Sequence, residues 1–138
     1  EDESLEKTKP NELYNQLYNK LAHISGDENI AMTTGCTASV CLVSGDKVYF
    51  ANAGDSRIVA SKNGVSISKT KDHKPEVESE KNRILNANGF ITEGRVNGNL
   101  NLSRSLGDLE YKQNSELRPE SQILIAVPDV VEDNIKNL

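Results

Sequence analysis

Leu13, Leu17, Leu21 and Ile24 recur at helical spacing, with Tyr14 and Tyr18 beside them, and predict a helix over residues 11–24. Pro10 before the run and Gly26 after it suit a start and a stop. From Cys36 to Val43 the chain is almost continuously apolar or small, which predicts a strand. After the turn Ser44-Gly45-Asp46-Lys47, Val48 and Phe50 alternate with Tyr49 and Ala51 as far as Ala53. Ile58–Ser61 and Val65–Ser68 flank Lys62-Asn63-Gly64, a strong hairpin signal. Residues 75–88 predict a second helix. Pro75 suits its first turn, Glu76, Glu78 and Glu80 sit near the positive end of its dipole, and Gly89 marks its end. Phe90–Val96 and Leu100–Ser103 flank Asn97-Gly98 as a further hairpin candidate. Gln122–Ala126 and Val130–Val131 are late strands broken by Pro128. Short connections imply antiparallel pairing, and the order helix, strands, helix, strands gives an α+β fold in one domain.

Composition narrows the function classes. The chain has 138 residues, 36% of them apolar, and no Trp, a lean core for an isolated unit. Net charge is −5 and the lysines are spread among acids, so no basic face for nucleic acid is visible. No run approaches the roughly 18 apolar residues that a membrane helix needs. Glu1-Asp2-Glu3 has no apolar stretch behind it and does not read as a secretory leader. Cys36 and Cys41, five apart in one predicted strand, point to opposite faces and cannot bridge each other. They are expected to be buried free thiols in a reducing compartment, the cytoplasm or the nucleus. Two cysteines with distant His23 and His73 are too few for a zinc site.

Three segments carry candidate chemistry. In Gly54-Asp55-Ser56-Arg57, Asp55 stands at a strand end beside Gly. There it is either a hard-metal ligand at the rim of a sheet or a turn residue bonding its own backbone. Asp72 and His73 are either an acid–base pair or the start of the helix that Pro75 opens. Arg95 and Arg104 flank a hairpin and either grip phosphate with their guanidinium forks or are charges on a solvated face. Ser56 as an esterase nucleophile would need an oriented histidine base, and neither His23 nor His73 stands in the arrangement that class uses.

Taken together, Gly35-Cys36-Thr37-Ala38, Ala51 through Arg57, Asp72-His73-Lys74-Pro75, Glu80-x-x-Arg83-Ile84, Asn88-Gly89, Arg95-Val96-Asn97-Gly98-x-Leu100, Ser103-Arg104-x-Leu106-Gly107-Asp108, Tyr111-Lys112 and Pro128-Asp129-Val130 resemble the PP2C (PPM) family of metal-dependent protein serine/threonine phosphatases. The likeness covers about residues 35–131, in the family's order. It implies an α-β-β-α sandwich of two mainly antiparallel sheets flanked by helices. It also implies hydrolysis of phosphoserine and phosphothreonine in phosphoproteins by water activated at a binuclear Mn²⁺ or Mg²⁺ centre. Within it, residues 1–34 would be an N-terminal helix and connector, 35–71 strands with the Gly-Asp-Ser-Arg motif, 72–107 a helix and flap, and 108–138 late strands.

Carried over by motif, Asp55 matches an aspartate that serves an additional, weaker metal site, and Arg95 and Arg104 belong to the substrate-facing flap. The family's Asp-Gly-His-Gly, Asp-Gly-x-Trp-Asp and final Asp-Asn motifs have no counterpart in this sequence, so no catalytic residue is expected in it. One carboxylate cannot hold two divalent ions, and these 138 residues alone are expected to be inactive. The alternative is a phosphatase-like pseudoenzyme that acts as a binding scaffold.

Overall fold

The computed structural model describes residues 30–137, and the helix expected over 11–24 lies outside them. A short helix, α1 (Ile30–Thr33), leads into β1 (Gly35–Cys36). The apolar run expected as one strand breaks at Thr37, and β2 (Ala38–Ser44) resumes after it. The two pieces have different partners. β1 pairs with β8 (Leu106–Gly107), whereas β2 forms a seven-residue antiparallel ladder with β3 (Lys47–Ala53). Along β3, Val48, Phe50 and Asn52 are buried while Tyr49 and Ala51 are half-buried, as the alternation predicts.

β4 (Val59–Lys62) and β5 (Val65–Ser68) form the expected hairpin. Its turn residues Asn63 and Gly64 take φ of +52° and +79°, the left-handed pair that a two-residue turn requires. The second helix, α2, spans Glu78–Asn86 and is shorter than expected because residues 75–77 form a turn ahead of it. Its end is set by Asn88 (φ +64°) rather than Gly89. Asn88 N–H donates to Leu85 O and Gly89 N–H to Ile84 O, which together close the helix with the last carbonyls satisfied.

The expected strand 90–96 is a tight hairpin instead, β6 (Ile91–Thr92) against β7 (Arg95–Val96) around Glu93-Gly94. Asn97-Gly98 forms a second turn closed by a single Val96–Leu100 bridge, and residues 100–103 are not a strand. The strand expected at 122–126 is also absent, and Ile125 makes one parallel bridge to Arg104. The last strand is longer than expected. β9 (Asp129–Asn134) runs antiparallel along β3, giving a sheet ordered β2-β3-β9. All strand ladders among the described residues are antiparallel, in keeping with an α+β architecture.

Ile84, Val96, Tyr111 and Leu124 form a buried apolar cluster, with Ile91, Leu100, Leu102 and Ile123 packed around it. Cys36 and Cys41 are free but exposed, which corrects the expectation of burial. Cys41 lies on β2, which among the described residues pairs with β3 alone, and every β2 residue after Ala38 is exposed. Among the described residues no helix is long and apolar enough to cross a membrane.

Candidate functional site

β3 ends at Ala53, and the chain turns at Gly54 with φ +109°, a conformation open to glycine. Space demands glycine as well. A Cβ here would stand 2.4 Å from Thr37 Cγ2 and 2.9 Å from the Arg104 carbonyl oxygen. His73, 3% exposed, grips this turn from both sides. Its backbone N–H donates to Gly54 O at 3.0 Å, and Gly54 N–H donates to His73 Nδ1 at 3.0 Å. Asn52 Nδ2 adds a bond to Gly54 O at 3.0 Å and one to Lys71 O at 3.2 Å. Asp55, the next residue, therefore leaves a backbone with little freedom, as a ligand needs.

Asp55 Oδ2 is paired with Lys74 Nζ, which also donates to Asn101 O at 3.2 Å. Asp72 and His73 turn apart and do not form an acid–base pair with each other. Asp72 takes both arms of Arg57 at 2.9 Å, and the Arg57 hydrogen bond is the main cause holding its carboxyl below the ordinary value. Arg57 is more than half exposed, so Arg57→Ala is expected to leave the midpoint of a urea titration nearly unchanged. His73 Nδ1 accepts the Gly54 N–H hydrogen bond, and Nε2 lies 3.2 Å from Asp129 Oδ2 without hydrogen-bond geometry. Ser56 Oγ is hydrogen-bonded with Thr37 Oγ1 at 2.6 Å. Since Gly54 N–H occupies His73 Nδ1, Ser56 has no histidine base among the described residues.

Arg95 and Arg104 are placed very differently. Arg95, on β7, is exposed, and its Nη1 donates to Asn99 O at 2.6 Å. Arg104 has a side chain only 12% exposed and is turned inward. It donates to Glu80 Oε1 at 2.6 Å, to Val127 O at 2.9 Å and to Asp129 Oδ1 at 2.9 Å. Burial opposes ionisation of Asp129, but His73 and Arg104 outweigh it and hold the carboxyl below its ordinary value.

Glu80 stands at the centre of this network, a role that its place at the start of the helix does not announce. It is 1% exposed, shares its carboxylate between Arg83 and Arg104, and accepts Ser103 Oγ at 2.8 Å. Burial alone would raise its carboxyl, but Arg104, Ser103 and Arg83 outweigh burial and bring it to about 2. The available signal was positional. Glu80 and Ile84, four apart, are the two buried residues of α2, so an acid sits on the apolar face. His73 as the clamp on Gly54 had no such signal, because its partner is 19 residues away.

The described residues contain no group of three or more His, Cys, Asp or Glu side chains that could surround a metal ion. Asp55 offers one carboxylate on a fixed turn, and that does not fit a binuclear centre by itself. What this arrangement does is hold the Asp55 carboxylate, its lysine partner and the 101–104 segment in register.

The family description "Protein phosphatase 2C" matches residues 1–138. A Paramecium tetraurelia protein named probable protein phosphatase 2C 6 is 52% identical over 111 residues, which cover 80% of this chain and 38% of that protein. A phosphatase structure from Toxoplasma gondii is 42% identical with a TM-score of 0.59, over 62% of this chain and 27% of the other. A C. elegans sex-determining protein superposes with a TM-score of 0.67 at 26% identity, over 90% of this chain and 29% of the other. The chain thus spans little more than a third of that relative's length.

Proposed function

Since the chain belongs to the protein phosphatase 2C family and folds as part of its α-β-β-α sandwich, we propose that the full-length protein hydrolyses phosphoserine and phosphothreonine in phosphoprotein substrates. The observation that carries this reading is Asp55 on a turn fixed by Gly54, His73 and Asn52. Hard divalent ions, Mn²⁺ or Mg²⁺, prefer such oxygen donors, and when bound they supply Lewis acidity and an activated water. Asp55 serves the additional, weaker metal position, while the ligands of the main pair come from outside the described residues. Arg95, exposed on the 72–107 segment, is the arginine available to approaching substrate. Arg104 acts from inside, as the post on which β9 and α2 are held. The four-part organisation (1–34, 35–71, 72–107 and 108–138) follows the same reading. Free Cys36 and Cys41 support work in the cytoplasm or nucleus.

The test is Mn²⁺-dependent release of phosphate from a phosphothreonine peptide by the full-length protein, with and without chelator. Activity lost to chelator and reduced in Asp55→Asn is the expected outcome, with these 138 residues alone silent. A folded full-length protein that stays inactive in ample Mn²⁺ would instead leave a pseudoenzyme scaffold.

A further inference from the structure

Arg95 stands apart from the other arginines among the described residues. Arg57, Arg83, Arg104 and Arg118 each meet a carboxylate, whereas Arg95 meets a neutral carbonyl, Asn99 O, at 2.6 Å. A guanidinium carries five N–H donors in a planar fork, so this contact leaves most of the fork, and its charge, without a partner among the described residues. Asn99 holds that one arm from an open turn. It follows Asn97 and Gly98, whose φ are +50° and +74°, and a Cβ on Gly98 would meet nothing within 4 Å. Packing therefore does little to fix the turn, and Asn99 supplies a tie instead. Its backbone N–H donates to Val96 O at 2.9 Å, and its side-chain Nδ2 donates to Tyr111 Oη at 3.2 Å. Tyr111, 9% exposed, belongs to the buried cluster with Ile84, Val96 and Leu124. A line of contacts thus runs from the core through Tyr111 and Asn99 to the Arg95 fork.

We propose that Asn99 and Tyr111 are positioning residues that aim Arg95 at an anionic group of the phosphopeptide substrate. The proposal rests on the phosphatase reading and on Arg95 meeting substrate. A free arginine side chain samples many rotamers, and gripping an anion with two parallel N–H bonds requires one plane of the fork. A fork already held by one arm loses less freedom when the anion arrives, so binding tightens without any new contact to substrate. A carbonyl suits this task better than a carboxylate, because it orients the guanidinium without neutralising it. The carbonyl is only as well placed as the turn that carries it. The bond from the Asn99 amide to the Tyr111 hydroxyl fixes that turn to the core, across 12 residues of sequence. Removing the hydroxyl leaves the tyrosine ring in the buried cluster, and the arm then hangs on a turn that nothing holds to the body.

The experiment measures KM and kcat of the full-length protein on a phosphothreonine peptide. Wild type, Tyr111→Phe, Asn99→Leu, Arg95→Gln and the double variant Tyr111→Phe with Arg95→Gln are compared. Tyr111→Phe and Asn99→Leu are each expected to raise KM about three- to tenfold, the size of one side chain's lost ordering. Their kcat should stay within about twofold of wild type, since the arm acts in binding. Arg95→Gln should raise KM at least as much. In the double variant the loss of the hydroxyl should add nothing, because its effect travels through an arginine that is gone. A purely structural tyrosine would raise KM equally with and without Arg95, and that result overturns the proposal. If Arg95→Gln raises KM while Tyr111→Phe and Asn99→Leu do not, the aiming is overturned and the role of Arg95 stands. If Arg95→Gln leaves KM unchanged, Arg95 does not meet substrate and the aiming falls with it. A folded full-length wild type without activity on the peptide removes the phosphatase reading and this proposal together.

Discussion

Glu80→Gln in the full-length protein is expected to cost about 3–5 kcal/mol of stability at neutral pH, because it removes the anion shared by two buried arginines. Arg83 and Arg104 each have side chains 12% exposed, and both remain charged whatever their partner. Gln offers one neutral acceptor where the carboxylate accepts from Arg83, Arg104 and Ser103 together. Arg104 also anchors Val127 O and Asp129, so the start of β9 should loosen along with α2. The pH dependence has a definite sign. The folded carboxyl lies at about 2 against an ordinary 4.5, so its contribution is fully present above about 4.5. It is lost as pH falls from there towards 2. Urea unfolding at pH 7 should therefore separate wild type from Glu80→Gln widely, and the gap should narrow steadily on acidification. A variant as stable as wild type at pH 7 would mean that the two arginines find other partners.

Gly54→Ala is expected to cost about 2–4 kcal/mol and to misplace Asp55, since it adds backbone strain and a steric conflict together. The φ of +109° is strained for any residue with a side chain. The new methyl would meet Thr37 at 2.4 Å and a backbone carbonyl at 2.9 Å, and a carbonyl in a bridged segment cannot step aside cheaply. Gly64→Ala is the matched control. Its φ is +79°, yet nothing lies within 4 Å of the added carbon, so only the conformational term of about 1–2 kcal/mol applies. Thermal unfolding of both variants, with Mn²⁺ binding beside it, separates strain from collision. Equal destabilisation in the two would show that the packing around Gly54 adds nothing.

Local rules determined a good part of this protein. Asn63-Gly64 specifies the β4–β5 hairpin because two left-handed residues in a row suit few other sequences. The alternation Val48, Phe50 assigns the buried face of β3 because strand side chains point to opposite sides in turn. The Gly-Asp-Ser-Arg motif was legible as a candidate ligand at a strand end, and the ordered set of motifs identified the family.

Tertiary structure alone decided the rest, and the reason is sequence separation. β9 pairs with β3 across some eighty residues, and no local pattern at Asp129–Asn134 names that partner. Asp72-His73 could not be resolved in sequence because each side chain's partner, Arg57 or Gly54, lies 15 or 19 residues upstream. Arg95 and Arg104 look alike in the chain, yet one is exposed on a hairpin and the other is buried against a carboxylate 24 residues away. The cysteines were misread because an apolar run suits a central strand and an edge strand equally well. Only the tertiary pairing shows that, among the described residues, β2 stands at the edge of its sheet. Periodicity fixes which face a residue occupies within its own element, and chain closure fixes what that face meets.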